Sequence, residues 1–340
     1  MDFSIGIGIT NKCNFNCSHC YSREEKSYDL DFRQIKDLCE SLNISSINFG
    51  TGESGLHEDF SKIIEYVRQR GIKTALTTNG YTVSLINDDC LSGFNDIDFS
   101  VDFANRDMHD GFRGAGAYSS VQKGVERCKR LGVEVSFACA MMKDNYMMMD
   151  KMVALARDFN VNLRVNVYKP VHTEKHLLTY DEFWEGIRRL FASSKIVSCS
   201  EPIVNAVLKN KTLDGGSRCG KKSLRIRPDA GIVPCVYWNT RTSSIDELVK
   251  YKIEMSPAEF DEYIEDITYE TKIIPRECEC CDSLDICQGG CAARRLYNNM
   301  DKPDPYCFKL YGKEVPELKY EWGDSKDLVH SSYLCTIIVQ

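Results

Sequence analysis

Six short apolar runs, separated by helical segments, occupy the first half of the 340-residue chain and restrict its fold more than any other feature. Residues 4–10 read as a strand, with Ile5, Ile7 and Ile9 on one face and Gly6 and Gly8 on the other. Further strands are expected at 46–49, 73–77, 96–101, 133–140 and 162–168. Between them, residues 31–42 carry Phe32, Ile35, Leu38 and Leu42 at helical spacing. Residues 58–70 carry Phe60, Ile63, Ile64 and Val67, with Gly71 as a stop. Residues 118–131 and 146–159 complete the helices, and Asn79-Gly80 marks a turn. Strands alternating with helices over short connections predict an α/β fold with a parallel sheet. Right-handed crossovers let such a series curl into a partial (β/α)6 TIM-type barrel, in which chemistry sits at the carboxyl ends of the strands.

Seventeen cysteines are the compositional anomaly. The N-terminus carries no basic stretch followed by an apolar block, and no run is long enough to span a bilayer. A cytoplasmic protein with neither membrane nor disulfide framework is expected, and tightly clustered thiols there point to metal. A net charge of −7 argues against nucleic acid as a partner. Cys39, Cys90, Cys128 and Cys139 sit in apolar patterns and read as small core residues, whereas Cys199 and Cys335 are isolated and have no evident role. His172 and His176, four apart, read as surface residues, and the methionine-rich stretch 141–152 as packing.

Cys13, Cys17 and Cys20 stand in a C-x3-C-x2-C loop after the first strand. Three thiolates can hold three irons of a cubane and leave the fourth open; spacing alone also permits zinc, completed by His19 or a distant residue. With the motifs that follow, the chain resembles the radical S-adenosylmethionine (SAM) superfamily. Gly52-Glu53 matches the Gly-Gly-Glu motif after the second strand, which in that family binds the SAM amino group; Thr51 replaces its first glycine and Ser54 the usual proline. Asn79 matches the segment ending the third strand, Ser100 and Asp102 the Ser-x-Asp ending the fourth, and residues 109–114 the HDxxRG stretch. The resemblance implies that Cys13, Cys17 and Cys20 ligate the catalytic 4Fe–4S cluster. It implies SAM contacts from His19, Tyr21, Gly52, Glu53, Asn79, Ser100, Asp102 and Arg113.

Cys278, Cys281, Cys287, Cys291 and Cys307, preceded by Cys219 and Cys235, resemble the SPASM extension of radical SAM enzymes, a small cysteine-rich domain holding auxiliary 4Fe–4S clusters. The resemblance assigns Cys278, Cys281, Cys287 and Cys307 to an outer cluster and Cys219, Cys235 and Cys291 to an inner one. The inner cluster is left with an open iron or a borrowed ligand such as Cys280, and two zinc ions remain the alternative occupants. The implied division is a barrel at 1–178, a helical bridge at 179–215, a SPASM domain at 216–310 and a C-terminal tail at 311–340. Three 4Fe–4S clusters and SAM are the implied cofactors.

Such an enzyme cleaves SAM reductively to a 5′-deoxyadenosyl radical that takes hydrogen from a substrate. Most relatives with the second domain modify peptides, so the leading expectation is a maturase crosslinking a ribosomally made peptide through thioether or carbon–carbon bonds. Peptide epimerisation and dehydrogenation of a cyclitol or sugar are alternatives, with a non-catalytic zinc or iron–sulfur protein as the reading from another class. A formylglycine-forming sulfatase maturase is disfavoured, because Val236 stands where that family has Asp. Since the chain starts at the first strand, a separate leader-recognition protein or recognition by the barrel is expected, together with a flavodoxin- or ferredoxin-like electron donor.

Overall fold

The computed structural model describes residues 3–24, 26–211, 215–217, 219–221, 223–310, 312–324 and 335–340. β1 (Phe3–Ile7) runs through a long loop to α1 (Phe32–Ser41), followed by β2 (Ile44–Phe49), α2 (Phe60–Gln69) and β3 (Lys73–Thr78). The short helices α3 (Tyr81–Leu85) and α4 (Asp88–Leu91) precede β4 (Asp96–Ser100). Then come α5 (Arg106–Arg113), α6 (Ala117–Arg130), β5 (Glu134–Met141), α7 (Met149–Asp158) and β6 (Asn162–Val167). All six strands pair in parallel in chain order, the α/β partial barrel that the periodicity predicts.

The two faces of this sheet differ in kind. Ile5, Ile47, Phe49, Leu76, Ile97, Phe99, Phe137 and Val165 belong to the main apolar core shared with the helices. The opposite face presents small or polar residues, among them Gly6, Asn48, Thr77, Asp98, Ala138 and Asn166, around an internal cavity. Arg164 reaches Asp96 and, at 2.8 Å, Asp98, so the two inward acids of β4 share one cation. Local signals fix the helix starts. Asp31 and Gln34 form a capping box on α1, so its buried face (Ile35, Leu38, Cys39) begins at a defined point.

The second half extends the same sheet. α8 (Tyr180–Ala192), β7 (Lys195–Cys199) and α9 (Pro202–Leu208) follow the barrel. β8 (Ser223–Ile226) adds in parallel to β1, and β9 (Gly231–Val233) and β10 (Ser243–Ser244) continue antiparallel. Two helices follow, α10 (Ile245–Glu254), which packs on α1, and α11 (Pro257–Thr268). The short α12 (Leu284–Cys287) and α13 (Ala292–Asn298) lie among the later cysteines. β11 (Glu321–Trp322) edges β7. β12 (Thr336–Val339), fully buried, inserts antiparallel between β6 and β7. Residues 325–334 of the expected tail lie outside the described residues. Among the described residues, no helix is long and apolar enough to cross a membrane.

Candidate active site

A cavity of about 470 Å³ opens at the carboxyl ends of β1–β6. Cys13, Cys17 and Cys20 line it from the loop after β1, together with His19, Tyr21, Gly52, Glu53, Asn79, Ser100 and Arg113. Of the sequence-predicted contacts, Asp102 alone stands behind the wall rather than in it: its carboxylate accepts from Arg113 Nε at 2.7 Å and from the Ala140 amide at 3.0 Å. Burial opposes its charge, but the Arg113 guanidinium and the Ala140 amide hold Asp102 below the usual carboxylate range.

Backbone geometry forces these loops together. Gly52 adopts φ +60°, and a Cβ there would meet the Thr10 and Lys12 carbonyl oxygens at 2.6 Å, so only glycine lets the β2 loop lie against the cysteine loop. Thr51, at φ 75°, holds a conformation costly for a β-branched residue; its hydroxyl meets Tyr21 Oη at 3.2 Å. The amide of Glu53 donates to Lys12 O at 2.7 Å, and its carboxylate accepts from the amides of Asn79 (3.0 Å) and Thr82 (2.7 Å) and from the Thr78 hydroxyl. Glu53 therefore ties the loops after β1, β2 and β3 into one unit, its carboxylate spent on protein donors. Asn79 Nδ2 donates to Asn14 Oδ1 at 2.8 Å and lies 3.6 Å from Cys13 Sγ.

The far side of the cysteine loop is held by α5 and the segment after β6. Cys17 Sγ donates to the Arg113 carbonyl at 3.7 Å, and Gly114 leaves room for Phe15, whose ring a Cβ would meet at 2.6 Å. His19 stacks on Phe112 with centroids 4.8 Å apart; burial drives it down to about 4 despite Asp102 at 3.4 Å, so the ring is neutral. Of the histidine pair, His172 is exposed as expected and only His176 departs from a surface role. His176 is buried, paired with Asp144 at 2.6 Å and 3.0 Å from Ser18 Oγ, because the segment after β6 folds back onto the cysteine loop. His172 is exposed but meets Tyr21 O at 3.0 Å.

Several cavity residues escaped the sequence reading. Asn166, Tyr168, Lys169 and Tyr237 line the side facing the later cysteines. Buried Lys169 places its ammonium 4.7 Å from the Tyr237 ring, which in turn lies edge-on to Tyr21 at 5.3 Å. Lys169 lies two residues past β6, a position that barrel logic flags; Tyr237 carries no signal beyond lying two residues past Cys235.

The later cysteines form two groups. Cys278 and Cys287 are buried, Cys281 and Cys307 half-buried, and the four thiols lie close enough for each to bear on its neighbours' charge. Cys219, Cys235 and Cys291 sit in a separate small core with Trp238. Cys280 is exposed. The amide of Cys291 donates to Asp304 at 2.8 Å, and Asp304 and Glu201 clamp the buried Arg294. Among the described residues no three His, Cys, Asp or Glu side chains converge as around a single ion; a cubane spreads its thiolates over separate corners. Cys39, Cys128 and Cys139 are buried core residues and Cys90 is half-buried.

Residues 7–156 match the model of the radical SAM superfamily. The match and the maturase relatives make the protein an enzyme, and the matched segment implies SAM and a 4Fe–4S cluster as cofactors. Among curated proteins, the mycofactocin maturase MftC of Mycobacterium ulcerans is 23% identical, covering 92% of this chain and 89% of its own. Among solved structures, anSMEcpe with bound AdoMet superposes with a TM-score of 0.69 at 19% identity, over 91% of this chain and 95% of that one. Streptococcus suis SuiB gives 0.64 at 16% identity, over 90% and 77%. Both share the fold.

Proposed function

We propose that the protein is a radical SAM maturase that modifies a ribosomally made peptide, most directly by crosslinking it. The observation that carries this is the convergence of Cys13, Cys17, Cys20, Gly52, Asn79, Ser100 and Arg113 on one cavity, with Cys291 of the inner thiol group near its Lys169. The relatives support the peptide: MftC is a mycofactocin maturase, SuiB is known bound to the precursor peptide SuiA, and anSMEcpe bound to a peptide.

Cys13, Cys17 and Cys20 would hold the catalytic cluster, which supplies the electron that cleaves SAM to methionine and a 5′-deoxyadenosyl radical. The chain does the rest. Gly52 lets the β2 loop line the cavity where SAM would sit, Ser100 and Arg113 would contact SAM there, and Asp102 holds Arg113 in place. Neutral His19 and the Tyr21 ring close the wall beside the cysteines and limit water. Cys278, Cys281, Cys287 and Cys307 would hold one auxiliary cluster, and Cys219, Cys235 and Cys291 belong to the other, giving three 4Fe–4S clusters. Hydrogen abstraction would yield 5′-deoxyadenosine and a substrate radical; forming the crosslink from that radical would release one proton and one electron, for which an auxiliary cluster held by these thiols would supply an acceptor. The buried Lys169 cation and Tyr237 stand between cavity and inner thiols, where that electron would cross. Four units follow: a barrel (1–178), a bridge (179–215), a SPASM region (216–310) and a tail (311–340). The protein is assigned to the cytoplasm, reduced by a flavodoxin- or ferredoxin-like donor, with a separate leader-recognition protein and neither nucleic acid nor membrane as partner.

The test is incubation of reconstituted enzyme with SAM, reductant and a peptide encoded beside it. A peptide lighter by two hydrogens supports crosslinking. An unchanged mass with solvent deuterium incorporated would replace crosslinking by epimerisation, and an untouched peptide beside a dehydrogenated cyclitol would remove the peptide substrate.

A further inference from the structure

Cys335 stands 28 residues beyond Cys307, the last cysteine of the array, and no spacing rule connects it to a site. It nevertheless lies in the same small core as Cys219, Cys235 and Cys291, enclosed by Val233, Trp238, Ala292 and Ala293. The four thiols lie close enough to bear on one another's charge, Cys291 on Cys335, Cys335 on Cys219 and Cys219 on Cys235. Each comes from a different element: Cys219 from the turn before β8, Cys235 from the turn after β9, Cys291 from the N-cap of α13, and Cys335 from the residue before β12.

Cys335 is held there by backbone pairing. Thr336 N donates to Ser200 Oγ at 3.2 Å, and Ser200 N to Thr336 O at 2.9 Å. The register then runs Thr336 against Asn166 of β6 and Ile337 against Cys199 of β7. Ser217 Oγ lies 3.7 Å from Cys335 Sγ. A strand pinned on both sides fixes its first side chain among the three other thiols. Cys199, across the ladder from Ile337, belongs to the main core instead. Cys280, the other candidate for a missing ligand, is exposed.

We propose that Cys335 is the fourth thiolate of the inner auxiliary cluster, completing the set Cys219, Cys235, Cys291 and Cys335. The assignment rests on the auxiliary-cluster reading above and sharpens it. A 4Fe–4S cluster with four cysteine ligands has no open iron for a substrate thiolate, which leaves electron transfer as its role. It also makes docking of β12 a condition for assembling the inner cluster.

The test silences the catalytic cluster with a Cys13→Ala, Cys17→Ala, Cys20→Ala triple variant of the full chain, reconstituted anaerobically. This parent is expected to hold about eight irons, two cubanes' worth. Its reduced EPR spectrum is expected to be indifferent to added cyanide or imidazole. Adding Cys335→Ser is expected either to release about four of those irons or to leave a cluster whose signal shifts with the added ligand. Cys199→Ala, the thiol across the ladder, is expected to change neither. A parent that already responds to cyanide overturns the assignment without any need for the serine variant to fold. So does a Cys335→Ser protein with both signals unchanged and unresponsive. In those two cases the two-cluster reading stands. A triple variant without iron overturns the auxiliary clusters themselves, and Cys335 with them.

Discussion

Gly52 shows how little tolerance the cavity wall has. Its φ of +60° and the two carbonyl oxygens that would lie 2.6 Å from a Cβ mean that Gly52→Ala must push the β2 loop off the cysteine loop. Displacing the backbone that faces SAM is expected to weaken SAM binding at least about tenfold, equivalent to about 1.4 kcal/mol. Equilibrium binding to the reconstituted variant measures this, and unchanged affinity would detach the loop from the SAM site. His109 sets an acid limit on the same wall. It is fully buried, its Nδ1 accepts from the Asp102 amide at 3.4 Å, and burial lowers it from 6.5 to about 4. Between those values the unfolded chain binds a proton that the folded chain does not. Stability therefore falls as pH drops through that window, by about 1.4 kcal/mol per unit. His109→Gln is expected to shrink the drop in thermal midpoint between pH 7 and pH 5, worth about 2 kcal/mol. An equal drop in the variant would mean that His109 is already protonated in the fold.

Among the elements, β12 departs furthest from what the sequence conveys. Alternation of Ile5, Gly6, Ile7 and Gly8 announces β1 locally, and each following strand carries its own apolar run before a helix of matching period. The cavity motifs were legible for the same reason, since each sits at the end of a recognisable strand. Thr336–Val339 is a four-residue run whose partners lie some 170 residues upstream, as in Thr336 against Asn166, so only the closed tertiary structure identifies it. Cys335 inherits that invisibility. Lys169 and Tyr237 meet only because β8–β10 fold back onto β1. α11 was readable: Ser256, Pro257 and Glu259 form a capping box with proline in the first turn. The insertion of β12 carries an energetic consequence. Ile338 is wholly buried, and Ile338→Ala is expected to cost about 2–5 kcal/mol, read as a lower thermal midpoint. A midpoint unchanged within error would mean that the strand is not part of the folded core.

Across the molecule, the cysteine-rich region is joined to both edges of the barrel sheet, through β8 on β1 and through the contacts that seat Cys335 beside β6 and β7. This arrangement places the inner thiols beside Lys169 and Tyr237 of the cavity, so a substrate in the cavity would lie between the proposed radical source and the proposed electron acceptor. The account depends on the source. Reconstituted enzyme given SAM and dithionite is expected to release 5′-deoxyadenosine, and the Cys13→Ala, Cys17→Ala, Cys20→Ala variant none. No 5′-deoxyadenosine from the intact enzyme, or an equal yield from the variant, would contradict it.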